Sequence, residues 1–272
     1  MATPIGNLGD VSDRARHVIS HADLLLAEDR RVAGKLLRHI GANPKVENYS
    51  DHNAAKVRPA ILARLAEGQV IALTSDAGTP LISDPGYKLV DAAREQGSPV
   101  FVVPGPSAVT AALSISGLPT DRFLFLGFAP PRSAARKTFI DEVAKVRATL
   151  VFYESPRRLK ALLRDLKAVL GDRPAVVARE LTKMYEETRH GTLSELVERY
   201  AAEDDPRGEI VVLVGWGAEA ETDWDDIDRQ LLALMSEQSP RAAVDLVAGE
   251  SGLNRREIYR RAMRLKEGDD RA

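Results

Sequence analysis

Thr74-Ser75-Asp76-Ala77-Gly78-Thr79-Pro80-Leu81-Ile82-Ser83-Asp84-Pro85-Gly86 follows the apolar run Val70-Ile71-Ala72-Leu73. The run reads as a buried strand, and the residues after it are small, polar, glycine or proline. Such a loop leaves backbone N–H and C=O groups bare and lies flat against a polar ligand, because no large side chain holds the ligand away. A second loop of this kind, Pro104-Gly105-Pro106-Ser107-Ala108, follows Pro99-Val100-Phe101-Val102-Val103. One loop alone is an ordinary turn. Two at the tips of neighbouring apolar strands predict a binding cleft.

Outward from these loops the pattern is strand, motif, helix, repeated. Strands are expected at 23–27, 45–49, 70–74, 100–103, 122–126, 148–153, 175–179 and 209–214. Amphipathic helices fit at 12–21, 31–40, 54–67, 87–96, 107–116, 134–146, 157–170 and 193–201. Alternation of this kind predicts an α/β fold with largely parallel pairing. The polar motifs share one location, each following a strand: Glu28-Asp29-Arg30-Arg31, Asp51-His52-Asn53, the two loops above, Gly127-Phe128-Ala129-Pro130, Glu154-Ser155-Pro156-Arg157 and Leu181-Thr182-Lys183. Ligands of open α/β sheets bind beyond the carboxyl ends of the strands, so the clustering points to one site and to an enzyme. Gly117-Leu118-Pro119-Thr120 interrupts a small-residue helix and predicts two α/β lobes, 1–117 and 118–216.

Composition is that of an ordinary globular chain: 272 residues, 44% hydrophobic and 29% charged. No apolar run reaches membrane-span length, the first residues do not form a signal peptide, and there is no cysteine. Disulfides, thiolate metal sites and a cysteine nucleophile are excluded, and cytoplasmic residence is expected. His17, His21, His39, His52 and His190 lack metal-ligand spacing, so no metal site is expected. The net charge of −2 is uneven: six acids and no base lie between 218 and 228, then six bases and one acid between 255 and 266. That predicts an acidic linker and helix over 217–236 and a basic helical tail over 237–272 that meets something anionic. A solvated helix face explains the same charges. Helix, Gly-containing turn and basic helix outline a helix-turn-helix, although a plain helical hairpin fits as well.

Taken together these residues resemble the tetrapyrrole methylase superfamily, and within it the ribosomal RNA small subunit methyltransferase I family. The motifs that carry the resemblance are Thr3-Pro4-Ile5-Gly6-Asn7-Leu8-Gly9-Asp10, Ala27-Glu28-Asp29, Asp51-His52-Asn53, Ser75 to Gly86, Pro104-Gly105-Pro106, Phe152-Tyr153-Glu154-Ser155 and Ala178-Arg179-Glu180-Leu181-Thr182-Lys183. It spans the whole chain, tail included. It implies S-adenosylmethionine as cofactor, no metal, and 2′-O-methylation of a cytidine in 16S rRNA of the small ribosomal subunit. It also implies a homodimer, and a cofactor cleft that lies between the two α/β lobes. Relatives place a short apolar strand before the Thr3–Asn7 loop, where this chain has Met1-Ala2.

By the same resemblance the methionine part of the cofactor is expected near Ala77, Gly78, Thr79 and Ile82. Its adenosine part would meet Ser107, Ala108 and the backbone near Tyr153 and Leu181, with Pro4 approaching from the first loop. For the proton of the attacked hydroxyl the candidates are Glu28, His52 and Asp29, with Asp76 a further choice. Glu28 or Asp29 paired to Arg30 or Arg31 would instead hold the loop. Arg30, Arg157, Arg158 and Lys183 are candidate phosphate contacts at the cleft rim, and Arg255, Arg256 and Arg260 in the tail. Three rival functions fit parts of the sequence. A tetrapyrrole or diphthine methyltransferase shares the fold but leaves the basic tail without a use. A nicotinamide-dependent dehydrogenase lacks its Gly-x-Gly-x-x-Gly fingerprint, since Gly6-Asn7-Leu8-Gly9 is spaced differently. A non-enzymatic nucleic-acid binder leaves the strand-end motifs unexplained.

Overall fold

A computed structural model describes residues 1–216, 224–251 and 253–269, and these fall into two compact units, Met1–Trp216 and Gly217–Ala272. In the larger unit the chain runs α1 (Asp13–His21), β1 (Leu24–Ala27), α2 (Arg30–Ile40), β2 (Val46–Asn48), α3 (Ala54–Ala66), β3 (Ile71–Leu73), α4 (Tyr87–Glu95) and α5 (Ala108–Ser116). It continues through β4 (Phe123–Phe128), α6 (Ser133–Asp141), β5 (Thr149–Glu154), α7 (Pro156–Leu170), β6 (Pro174–Arg179), β7 (Glu187–Thr192), α8 (Leu193–Ala201) and β8 (Ile210–Val214).

The first sheet has the order β2-β1-β3 and is wholly parallel. Its central strand is Leu-Leu-Leu-Ala with every residue buried, as a strand covered on both faces must be. The second sheet has the order β4-β5-β8-β6-β7, and only β4 and β5 pair in parallel. The expectation of largely parallel pairing therefore describes the first sheet and is overturned for the second. The reason lies in β7, which the sequence pattern does not announce. Its residues, Glu187-Thr-Arg-His-Gly-Thr192, carry no apolar alternation because the strand closes a sheet edge, and it returns antiparallel to β6.

The expected strand at 100–103 does not form. Met1 and Ala2 lie where its ladder partner would be: the Met1 ammonium donates to Leu73 O at 2.9 Å and Ala2 N to Val103 O at 3.1 Å. Thr3 then bridges Gly78 with both backbone bonds. Three residues spread over two neighbours build no ladder, and Phe101 and Val102 are left 85% and 75% exposed.

Helix ends follow their capping residues. Asp29 caps α2 and Gly41, at φ 69°, closes it; Thr192 and Glu195 form a reciprocal capping box on α8; Pro156 opens α7. Leu159, Leu162, Leu163, Leu166 and Leu170 place the apolar face of α7 under the second sheet. Helix α5 packs Val109, Ala112 and Leu113 on the other face of that sheet, against Val151, Val176 and Val211. A lobe boundary at 117 thus assigns α5 by sequence to one lobe and by packing to the other.

In the smaller unit α9 (Trp224–Glu237), α10 (Pro240–Ser251) and α11 (Arg255–Asp269) share one core of Ile227, Leu231, Val244, Val247, Ile258 and Ala262. The division expected at 236/237 falls inside this packed unit. Residues 217–223 of the expected acidic linker, with Glu219, Glu221 and Asp223, lie outside the described residues, as does Gly252 of the expected turn.

Candidate active site

The 74–86 loop is locked to its neighbours by its own polar groups. Ser75 Oγ donates to Gly78 O at 3.0 Å, and Thr79 Oγ1 donates to Pro106 O at 3.2 Å, joining the two glycine-proline loops. Gly78 has φ 78°, and a Cβ there would meet Ile5 Cγ2 at 3.4 Å. Among the described residues four that are not glycine hold left-handed backbone, Leu81, Ser83, Glu180 and Thr182, and all four lie on the two loops that flank the cavity. Such conformations persist where surrounding structure enforces them, and they gather at binding sites.

The cavity has a volume of about 390 Å³, within the range of small-molecule sites. Of the nine residues expected to hold a cofactor, Ala77, Gly78, Thr79, Ile82, Ser107, Ala108, Tyr153 and Leu181 line it. Pro4 is half-buried and does not; its neighbour Ile5 takes the place. Among the described residues four acids, Asp76, Asp84, Glu154 and Glu209, also line the cavity, and no lysine, arginine or histidine does.

The proton-acceptor candidates separate in the structure. Glu28, half-buried after β1, has its carboxyl pushed above the ordinary glutamate value, by burial first and then by the charge of Asp76, with Asp51 and Asp29 adding. Asp29 is instead the N-cap of α2, accepting from Arg31 N at 2.7 Å and from the Arg31 guanidinium at 2.7 Å. Those bonds hold its carboxyl low, at about 2. Asp29 is thus the loop-holding ion-pair partner, and Glu28 is not. His52 is exposed in the turn before α3 and is not among the cavity residues. Asp76 accepts from Asp29 N at 2.9 Å and so fastens the Glu28–Asp29 corner to the 74–86 loop.

The residue missed from sequence is Asp84. It lines the cavity, and its carboxyl is raised to about 7, by burial first and then by the charge and hydrogen bond of Glu28. The two carboxyls are hydrogen-bonded to each other, and both are raised. Asp84 also raises the Tyr153 hydroxyl from across the cavity, after burial. Ser83-Asp84-Pro85-Gly86 reads as turn chemistry, and only the fold brings it to Glu28.

The candidate phosphate contacts also divide. Arg30, Arg157, Arg256 and Arg260 are exposed. Arg158 pairs at 3.1 Å with Glu154, whose side chain is fully buried, and Lys183 is held by Glu180 at 2.7 Å and Glu209 at 3.0 Å. Arg255 pairs with Asp245 at 2.5 Å.

Comparison with known proteins agrees with this architecture. Residues 2–197 match the model of the tetrapyrrole (corrin/porphyrin) methylases, and residues 221–266 match the RsmI C-terminal HTH domain. Ribosomal RNA small subunit methyltransferase I of Mesorhizobium japonicum is 48% identical over 269 residues, 98% of this chain and 91% of that protein. The Escherichia coli O157:H7 protein of the same name is 44% identical over 265 residues, covering 96% and 92%. This chain belongs to the ribosomal RNA small subunit methyltransferase I family. The fold of that methyltransferase family extends to more distant enzymes. A cobalt precorrin-4 methyltransferase matches with a TM-score of 0.59 at 18% identity, over 79% of this chain and 93% of the other. The uroporphyrin-III-C-methyltransferase of Thermus thermophilus matches at 0.56 and 23% identity, over 79% and 91%. Among the described residues no helix is long and apolar enough to cross a membrane, and no cluster of His, Asp or Glu is arranged to hold a metal ion.

Proposed function

We propose that this protein transfers a methyl group from S-adenosylmethionine to the 2′-hydroxyl of a cytidine in 16S rRNA of the small ribosomal subunit. The observation that carries the cofactor is the cavity's lining: small and apolar residues with Asp76 and Asp84, and, among the described residues, no base on the walls, Arg158 and Lys183 lying behind Glu154 and Glu209. A sulfonium nucleoside is cationic and suits such walls, whereas a dinucleotide with its phosphates would be repelled. When bound, the cofactor supplies an activated methyl group, so the protein's task is placement and removal of a proton.

Ala77, Gly78, Thr79 and Ile82 would hold the methionine part, and Ser107, Ala108, Tyr153 and Leu181 the adenosine part, with Ile5 closing the side where Pro4 was expected. Tyr153 stands near Phe125 and Phe128, with ring centroids at 4.8 and 5.7 Å, and adds an aromatic wall. The rRNA substrate follows from the names of the relatives and from the exposed arginines. Arg30 and Arg157 would meet phosphate near the cleft, and Arg256 and Arg260 would do so from α11. Arg158, Lys183 and Arg255 would first have to leave their carboxylates. The enzyme would work in the cytoplasm as a homodimer of two-lobed subunits, 1–117 and 118–216.

Three measurements test this reading. Calorimetry with S-adenosylmethionine and its demethylated product should show saturable binding, and its absence would end the proposal. Mass mapping of 16S rRNA from cells with and without the protein should differ by one methyl group on a cytidine ribose. Deleting 217–272 as a whole, so that no shared core is cut, should weaken RNA affinity and its salt dependence while cofactor binding survives.

A further inference from the structure

We propose that Glu28 and Asp84 act as one carboxyl pair, sharing a single proton, that takes up the proton of the hydroxyl being methylated. The inference rests on the methyl-transfer reading above and adds to it a residue, Asp84, and a division of labour. Asp84 lines the cavity and bonds Glu28, so the pair reaches from the cavity wall to the tip of β1. Both partners stand on restrained backbone. Ser83 at φ 60° and Gly86 at φ 135° bracket Asp84. Glu28 is tied by Asn48, which donates to its carbonyl, and by Asp76, which accepts from the next amide.

Among the described residues no cation is ion-paired with either carboxyl. Asp76 faces it from the loop after β3, Asp51 from the turn after β2, Asp29 from the start of α2 and Tyr153 from β5. Arg31 is spent on Asp29, and among the described residues no lysine or arginine forms an ion pair with Glu28, Asp76 or Asp84. Two bonded carboxyls in such surroundings do not both ionise readily, and a shared proton is the arrangement that relieves them. The pair is then a monoanion whose affinity for a second proton is raised by Asp76 and Asp51.

The step balances without a further reactant. The ribose oxygen forms its bond to the methyl carbon while the carbon–sulfur electron pair stays on sulfur. The hydroxyl proton passes to the Glu28–Asp84 monoanion, leaving both carboxyls protonated, and one proton then returns to water. Asp29 and His52 are not needed.

The test compares wild-type protein with Asp84→Asn, Glu28→Gln and Asp84→Glu. In the protein alone, the urea midpoint of the wild type should fall as pH rises through about 7, where the folded pair loses a proton that the unfolded chain has already lost, and Asp84→Asn should flatten that fall. In single turnover on small ribosomal subunits, Asp84→Asn and Glu28→Gln should each be slower by about 10²-fold, the ordinary worth of a positioned proton acceptor. Their affinity for S-adenosylmethionine should stay within roughly threefold, and Asp84→Glu should recover part of the rate. Asp84→Asn activity near the wild-type rate at every pH would overturn the pair, as would a loss of cofactor affinity matching the loss of rate. A wild-type protein that binds no cofactor would instead overturn the methyl-transfer reading on which the pair stands.

Discussion

The carboxylates on the two sides of the cavity are treated in opposite ways. On the second-sheet side Glu154 is paired with Arg158, Glu180 and Glu209 with Lys183, and Glu187 with both Arg179 and Arg189. On the first-sheet side, among the described residues, Glu28, Asp76 and Asp84 form no ion pair, and Glu28 and Asp84 are held up in pKa. Paired carboxylates fasten loops and stay ionised; crowded ones without partners exchange protons near neutrality. The difference assigns positioning to one wall and proton chemistry to the other.

The sharpest way to break that contrast is to remove a cation from the paired wall. Arg158 reaches both Glu154, which is fully buried, and the carbonyl of Ala129. Arg158→Met would strand the Glu154 charge and should lower unfolding free energy by roughly 3 kcal/mol in urea titrations at neutral pH. A change near zero would mean that the two walls do not differ in kind.

On the other wall the same kind of surgery should stabilise. Asp84 has a folded-state value raised from 3.8 to about 7, so the folded protein binds a proton there that the unfolded chain has released. Its contribution is complete below about pH 4 and is lost as pH climbs through 7, which makes wild-type stability fall over that window. At pH 8 the ionised Asp84 is simply crowded, and Asp84→Asn should gain on the order of 1 kcal/mol once solvent screening of a half-exposed carboxyl is allowed for. Equal stability of the two proteins at pH 8, measured by denaturant, would contradict it.

Between the walls sits the backbone of the 74–86 loop, where Gly78 takes a conformation that side chains resist. Gly78→Ala places a Cβ at φ 78°, against Ile5 and near Pro106 O. The expected loss is about 1 kcal/mol of stability by thermal unfolding, with weaker cofactor affinity by calorimetry.

What could be read before folding followed the range of the forces involved. Local signals sufficed for α2, α7 and α8, where Asp29, Pro156 and Thr192 mark the starts, and for Leu24–Ala27, whose unbroken apolar run means burial on both faces. Backbone-lined loops at strand tips announced the cavity, and eight of nine expected residues line it. Asp84 was not legible because its character comes from Glu28, 56 positions away, and from burial that only the packed sheet creates. β7 escaped for a related reason: a polar edge strand has no core face to write into the sequence. The segment 100–103 misled in the other direction, being apolar enough for a strand yet meeting Ala2 through a bond to Val103 O without forming a ladder.

The smallest effect separates the cations themselves. Arg157 is exposed at the start of α7, whereas Lys183 is already bonded to Glu180 and Glu209. A cation that meets RNA phosphate releases counterions, so its loss lowers the slope of log affinity against log salt by about 0.7 to 0.9. Arg157→Ala should show that change with small-subunit RNA. Lys183→Ala should leave the slope alone and cost less than about 1 kcal/mol of stability, the ordinary worth of a partly exposed pair. A slope change for Lys183→Ala matching that of Arg157→Ala would mean that RNA draws the lysine off its glutamates. The paired wall would then be a reserve of phosphate contacts rather than a fixed brace.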